Sequence, residues 1–392
     1  MRRDGRGAGG LRITMVLTYY HPHWTGLTAY AKRLAEGLAA RGHAVTVVAS
    51  RHEASLPEEE VLRGVRVLRL PVLFRLSRGV VMPRFPAAVW RAIGDSDVVQ
   101  MHTPLLEAPL VTFFGRLRRR PVVFTHHGDL VMPAGLFNRM VESVVTALMT
   151  QALRMSTRIT VHSEDYGRNS PFLSPFLAKL DPIYPPSDLP APDRQAVAAW
   201  RRELGLENRS IVGFAGRWVE EKGFDYLLQA IPRVLKEVPD AHFVYAGEAN
   251  ISYEDFFRKT QRYLDPVRRH VTMLGLLTDA QKLANFYGLC DVFTVASRTD
   301  CFPSTQVESV LSGTPLVTTD IPGAREVVRV TGMGVLVPPR DPEGIARGIA
   351  EVLSHRERYV RPSEEIGRIF DREKSVEDYE GLFRRLAAER TS

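Results

Sequence analysis

Short apolar runs rich in Val, Ile and Phe alternate along the whole chain with stretches whose apolar residues recur every three or four positions. Runs of the first kind mark strands and the 3.6-residue rhythm marks helices packed along one face. In the first half the pattern predicts strands over 12–17, 45–49, 65–70, 98–102, 122–126 and 159–162. The helix between the first two puts Leu27, Leu34 and Leu38 on one stripe and stops at Gly42. Runs at 211–214, 242–246, 271–274, 292–295, 316–318 and 335–337 repeat the rhythm in the second half. Strands that alternate with helices make parallel sheets with crossover connections, so the fold class is α/β, with two similar doubly wound layered domains.

Residues 184–193 read YPPSDLPAPD, which continues neither a ladder nor a helix and so makes a linker. The division is an N-terminal domain over 1–188, a C-terminal domain over 189–370 and a closing segment, 371–392. That segment holds an amphipathic helix, 376–389, able to pack back on either domain, the N-terminal one included. Parallel sheets bind ligands outside the carboxyl ends of their strands, so two such sheets facing each other place the chemistry in an interdomain cleft.

The length of 392 residues fits two domains, and 44% hydrophobic with 25% charged residues excludes a disordered chain. Cys290 and Cys301 cannot build a disulfide framework or a cysteine zinc site and read as thiols of a reducing, cytoplasmic compartment. Residues 1–10 are charged and glycine-rich without an apolar core, which reads as a flexible leader and not a signal or anchor. The most lipophilic region, 130–155, is cut by Asn138, Arg139, Glu142 and Arg154, so it falls short of the roughly 20 apolar residues of a span.

The net charge of +7 is uneven, with 24 Lys and Arg against 15 Asp and Glu up to residue 190 and 28 against 30 beyond it. A basic half suits anionic lipid heads or phosphorylated ligands, or is simply solvated surface; no nucleic-acid partner is expected. Its densest cluster, Arg116, Arg118, Arg119 and Arg120, stands where it would also favourably end a helix. The stretch 73–90 mixes apolar residues with Arg75, Arg78 and Arg84 and reads equally as an acceptor loop, a peripheral contact with the inner face of a membrane, or a solvated loop.

Several common chemistries are excluded. No Gly-x-Gly-x-x-Gly follows a strand, Lys222 is followed by Gly223 and Phe224 and so ends no phosphate-binding loop, and neither His-Glu-x-x-His nor Gly-x-Ser-x-Gly occurs. Instead, the strand ending at Phe214 runs into AGRWVEEKG, which puts the cations Arg217 and Lys222 beside the start of the next helix. A helix start is already partly positive, so two cations there are resolved by an anion such as a diphosphate, or by pairing with Glu220 or Glu221. Further on, DCFPSTQVE (300–308) follows the strand 292–295. Pro303 suits a helix's first turn, leaving the amides of Ser304 and Thr305 for an anion. Glu308 is then placed to accept ribose hydroxyls and Asp300 to accept sugar hydroxyls, or the acids simply favour the dipole at the helix N-terminus.

The runs 213–223 and 300–326 (DCFPSTQVESVLSGTPLVTTDIPGARE), with the early Gly26 loop and the His of VVFTHHGD, resemble the retaining nucleotide-sugar glycosyltransferases of GT-B fold, "glycosyltransferase group 1". The resemblance covers essentially the whole chain. It implies two Rossmann-like domains facing a cleft, and transfer of a hexosyl unit from a nucleoside diphosphate sugar, such as a UDP- or GDP-hexose, to the hydroxyl of a sugar, glycolipid or small metabolite. By it Arg217 and Lys222 bind the leaving diphosphate, Glu308 holds the ribose, and Asp300 touches the transferred sugar. Amides near Phe302, Ser304 and Thr305 complete the phosphate cradle, Gly26 lets the first-domain loop approach it, and His127 stands beside the reacting sugar. No metal or other cofactor is implied, since the two cations already neutralise the diphosphate.

Three departures stand out: Asp300 where the family usually has Glu, Cys301 for a common Gly, and Pro-Ser-Asp at 186–188 for an Asn-Gly turn. His102, His126 and His127 all end strands. His126 is expected to face its own sheet or the alternate side, while His21 and His23 line the acceptor side. Two other readings remain: a nucleotide-sugar epimerase or hydrolase, with Asp129 and Glu107 as its only candidate carboxylates, and a non-catalytic sugar-nucleotide-binding protein.

Overall fold

Every strand marked by the hydropathy pattern is present in the computed structural model, which describes residues 9–76, 79–129, 135–251 and 254–389. The expected leader over 1–10 lies outside the described residues except for Gly9 and Gly10. The chain forms two units, one of Met1–Pro186 with Asp371–Ser392, the other of Ser187–Phe370.

In the first unit the chain runs β1 (Arg12–Val16), α1 (Gly26–Ala40), β2 (Ala44–Arg51), β3 (Glu59–Leu62), β4 (Val65–Pro71), β5 (Phe74–Leu76), β6 (Gly79–Val81), α2 (Phe85–Gly94), β7 (Val98–Thr103), α3 (Ala108–Leu117), β8 (Val122–His126), α4 (Leu136–Met155), β9 (Arg158–Val161), α5 (Glu164–Asn169) and β10 (Leu180–Pro182). The sheet order is β10-β9-β8-β7-β1-β2-β4-β3, parallel throughout except for the β3–β4 pair. β3 and β10 escape the pattern because one is a charged edge strand and the other only three residues long. The region 73–90 holds the antiparallel β5–β6 pair and the start of α2, with Leu73 and Phe74 exposed, while Arg78 lies outside the described residues. Three arginines of the basic cluster serve packing. Arg116 donates to the last carbonyls of α4, Arg118 lies over the Trp90 ring at 3.8 Å, and Arg120 donates to Gly94 O.

The second unit runs α6 (Arg194–Glu203), β11 (Ser210–Ala215), α7 (Phe224–Glu237), β12 (Ala241–Ala246), α8 (Phe256–Leu264), β13 (Val271–Met273), α9 (Ala280–Leu289), β14 (Val292–Val295), α10 (Ser304–Leu311), β15 (Leu316–Thr319), α11 (Glu326–Thr331), β16 (Gly334–Val337), α12 (Pro342–Ser354), α13 (Arg356–Tyr359) and α14 (Ser363–Ile369). Its six strands are all parallel, in the order β13-β12-β11-β14-β15-β16. β11 and β14 are central neighbours, which is why the loops that leave them share one end of the sheet.

The last helix, α15 (Arg372–Glu389), belongs to the first unit. Val376, Tyr379, Leu382, Phe383 and Leu386 form its buried stripe against α1 and the sheet, each aliphatic or aromatic side chain contributing about 2 kcal/mol as an upper bound. Arg41 and His43 meet Glu380 at the rim. Among the described residues no helix is long and apolar enough to cross a membrane.

Candidate functional site

The loop after β11 is shaped by what its middle residue needs. Trp218 is fully buried between the rings of Phe214, Phe224 and Tyr245, and its indole N–H donates to Thr260 Oγ1 at 2.9 Å. Anchoring Trp218 in the core leaves Arg217 half-exposed, its guanidinium 3.3 Å from Glu221. The loop then makes a short 3₁₀ turn over Glu220–Lys222 that Gly223 closes in the left-handed region at φ +65°. A Cβ at Gly223 would stand 2.0 Å from Ala296 O, so glycine alone lets this loop lie against the end of β14.

That approach brings the two sequence motifs together. Lys222 Nζ donates to Asp300 Oδ2 at 2.5 Å, and Asp300 also accepts from Ser297 Oγ at 3.4 Å. Burial by itself lowers the Lys222 pKa, but the carboxylates of Asp300 and Glu221 outweigh it and hold the ammonium above its ordinary value. The pairing that sequence offered for Lys222 with Glu220 or Glu221 is thus made with Asp300, while Arg217 takes Glu221.

Arg298, which the sequence reading missed, ties the same two loops. It grips both carboxylate oxygens of Asp225 at 2.9 and 2.7 Å, donates to Glu220 O, and lies over the Tyr226 ring at 4.3 Å. The available signal was positional, since Arg298 stands three residues past β14 much as Arg217 stands just past β11.

Helix α10 starts one residue later than expected, with Pro303 as its N-cap. Ser304 and Thr305 are its first two residues, and amides there precede the first intrahelical bond. Phe302 is buried against Phe370, and burial raises the Cys301 thiol far above its ordinary range. Glu308 lies one turn inside the helix, buried, and accepts the Tyr287 hydroxyl at 2.7 Å. Nothing in the sequence signals Tyr287, because its partner is reached across two packed helices. Arg217, Lys222, Asp300, Phe302, Ser304, Thr305 and Glu308 are therefore all in the second unit, on the loops and helix that follow β11 and β14.

Gly26 and His127 are in the first unit. Gly26 opens α1 behind Thr25, whose side chain and that of Thr28 form a reciprocal cap, and a Cβ at Gly26 would meet nothing within 4 Å. His127 follows β8, with Nε2 2.9 Å from His102 Nδ1 and Nδ1 3.2 Å from His162 Nε2. His126 bonds Asp129 at 3.0 Å and stacks near Tyr166 and Phe172. Burial pushes the Asp129 carboxyl up, but His126, Ser170 and Tyr166 together bring it below its usual value. That carboxylate is occupied as an acceptor within its own unit, and Glu107 sits at the start of α3 with burial raising its pKa. His23 stacks on Tyr19 at 4.5 Å and meets His52 edge-on. The main-chain carbonyl of His21 accepts from Arg69.

The chain is similar to known proteins over most of its length. Residues 209–355 match the profile of "Glycosyl transferases group 1" and residues 25–173 that of "Glycosyl transferase 4-like domain", together most of the chain. The chain is 28% identical to a phosphatidyl-myo-inositol mannosyltransferase of Mycobacterium leprae, over 92% of this chain and 93% of that protein. It is 27% identical to a GDP-mannose-dependent alpha-(1-6)-phosphatidylinositol monomannoside mannosyltransferase of Mycobacterium tuberculosis, over 89% and 91%. Among solved structures, HepE of Anabaena in complex with UDP superposes with a TM-score of 0.75 at 19% identity, over 96% of this chain and 100% of that one, which shows the GT-B fold. The chain is an enzyme that belongs to the group 1 glycosyltransferases.

Proposed function

We propose that the enzyme moves a hexosyl unit from a nucleoside diphosphate sugar to an acceptor hydroxyl with retention at the anomeric carbon and without a metal ion. The observation that carries this reading is the meeting of Lys222 with Asp300 beside Arg217 and the start of α10. An incoming diphosphate would take Arg217 and Lys222 from their carboxylates and accept from the first amides of α10. Glu308, held by Tyr287, would accept the ribose hydroxyls. As the glycosidic bond breaks, charge builds on the leaving phosphate, and fixed cations of this kind are each worth about 10²–10³ in rate. The leaving phosphate then takes the acceptor's proton on the face it leaves, which explains why no side-chain nucleophile is needed. With the diphosphate charge met by two side chains, a divalent ion has no necessary part.

The names of the relatives support GDP-mannose as the first donor to test, and they support a lipid-borne hydroxyl as acceptor. Exposed Leu73 and Phe74 beside Arg75 support a peripheral contact with the inner face of a membrane, which co-sedimentation with anionic vesicles measures. Purified protein is screened by thermal shift against GDP-mannose, UDP-glucose, UDP-galactose and ADP-glucose, with and without EDTA. One donor should raise the melting temperature with EDTA present, since a ligand of the native state stabilises it. The product should keep the donor's anomeric configuration, and Lys222→Ala should abolish transfer. Loss of the shift with EDTA, an inverted product or full turnover by Lys222→Ala refutes the corresponding element.

A further inference from the structure

Three imidazoles stand in a row at the carboxyl ends of β7, β8 and β9. His127 is the middle one, bonded through Nε2 to His102 and through Nδ1 to His162. Tyr30 of α1 covers the remaining side, edge-on to His127 with centroids 4.9 Å apart, and within 5.8 Å of His102 and 5.2 Å of His162. The hydroxyl of Tyr30 donates to that of Tyr379 on α15. Burial holds all three imidazoles below the usual histidine pKa, His102 and His162 at about 3, and for His127 the flanking imidazoles add to the effect.

A neutral imidazole has one N–H and one bare nitrogen. Two hydrogen bonds linking three neutral rings therefore all run in the same direction, with His127 giving from one nitrogen and receiving on the other. The middle ring cannot change tautomer or flip on its own without breaking both bonds, because a change of tautomer at His127 requires both neighbours to change with it. Nearby, the charge of Asp129 is directed at His126 and Ser170.

We propose that His102 and His162 are positioning residues that lock His127 in one neutral tautomer and one ring orientation, with Tyr379 completing the clamp from the closing helix through Tyr30. This rests on the reading of His127 as a residue beside the transferred sugar, and it assigns His127 a fixed shape and dipole there and no proton to carry. A displaced catalytic-site group of this kind costs about tenfold to a hundredfold in turnover.

The test uses His162→Phe, which keeps a ring and removes the bond, and His162→Gln, which keeps an amide N–H near the position of Nε2. His162→Phe should lower kcat by about tenfold or more while the KM for the sugar nucleotide stays unchanged, and His162→Gln should recover most of the loss. In ring-¹⁵N-labelled protein His127 should show one protonated and one bare nitrogen, unchanged between pH 8 and pH 5, and signals averaged by tautomer exchange in the Phe variant. Tyr379→Phe, which keeps the buried ring, serves as the second variant if His162→Phe does not fold, and it should lower kcat in the same direction. An unchanged kcat in the folded Phe variant, or averaged His127 signals in the wild type, overturns the proposal. If the transferase reading itself fails, the wild type transfers from no sugar nucleotide, and the nitrogen spectra still decide whether the clamp exists.

Discussion

Mild acid should destabilise the first unit by an amount set by its buried histidines. His102 and His162 are 0% and 4% exposed, and burial lowers both pKa values to about 3. In the unfolded chain they titrate near about 6.5. Below that value the unfolded state binds protons that the folded state refuses, so stability falls as pH drops from about 6.5 toward 3 and is level above neutrality. Each group adds a slope of about 1.4 kcal/mol per pH unit once titration is under way, so a move from pH 7 to pH 5 removes about 2 kcal/mol per histidine and about 4 kcal/mol for the pair. His21, His23, His43 and His52, whose pKa values burial also lowers, act in the same direction. Asp129 and Glu380 have depressed pKa values, so what they contribute is lost only at lower pH, as each titrates through its folded value. The comparison that isolates one imidazole is wild type against His162→Phe, with hydrogen exchange of the β7 and β8 amides in urea at pH 7, 6 and 5 reporting the first unit alone. The variant should lose about 2 kcal/mol less than wild type over this range. Parallel pH dependences in the two proteins would refute the assignment of His162 as a buried neutral group.

In the second unit, Arg298→Ala removes one partner of an ion pair whose side chains are only 14% and 13% exposed, leaving Asp225 uncompensated. A loss of about 3 kcal/mol is expected in the unfolding of β11 and β14, with Arg298→Lys recovering only part because an ammonium cannot bridge both carboxylate oxygens. Tyr287→Phe takes a hydrogen bond from buried Glu308 and should weaken nucleoside diphosphate binding about tenfold by calorimetry, with little change in affinity for inorganic pyrophosphate.

How much of this was legible beforehand follows from the reach of each signal. Central strands such as β8 and β14 are β-branched and aromatic runs buried on both faces, and such runs announce themselves in hydropathy; β3, with two glutamates on an edge, does not. Arg217, Lys222, Asp300 and Glu308 are legible as candidates because chemistry-bearing residues follow strand ends at short range. Arg298, Tyr287 and Tyr30 were missed because their meaning lies in partners brought near only by packing, at Asp225, Glu308 and Tyr379. The same limit applied to His127. Sequence marked it as a residue at a strand end, but not that His162, 35 residues further along the chain at the end of β9, bonds one of its ring nitrogens.

Asp300 is where two readings of the site separate. The resemblance has a carboxylate at this position touch the sugar, while the structure has it bonded to Lys222 at 2.5 Å. Removing only its charge, in Asp300→Asn, takes away the largest influence that holds the Lys222 pKa up and leaves the burial that pulls it down. Lys222 should then lose its proton at lower pH than in wild type. Since only the ammonium form binds and stabilises a leaving diphosphate, kcat/KM for the donor, which reports the free enzyme in which Lys222 still faces residue 300, should fall in Asp300→Asn on the alkaline side at a pH where wild type stays flat. Asp300→Glu keeps the charge and should keep the profile, whatever the extra methylene does to the sugar. If Asp300 acts on the sugar alone, both variants lose turnover with the wild-type pH dependence. An alkaline limb that does not move in Asp300→Asn therefore removes Lys222 from the leaving-group role that its pairing with Asp300 supports.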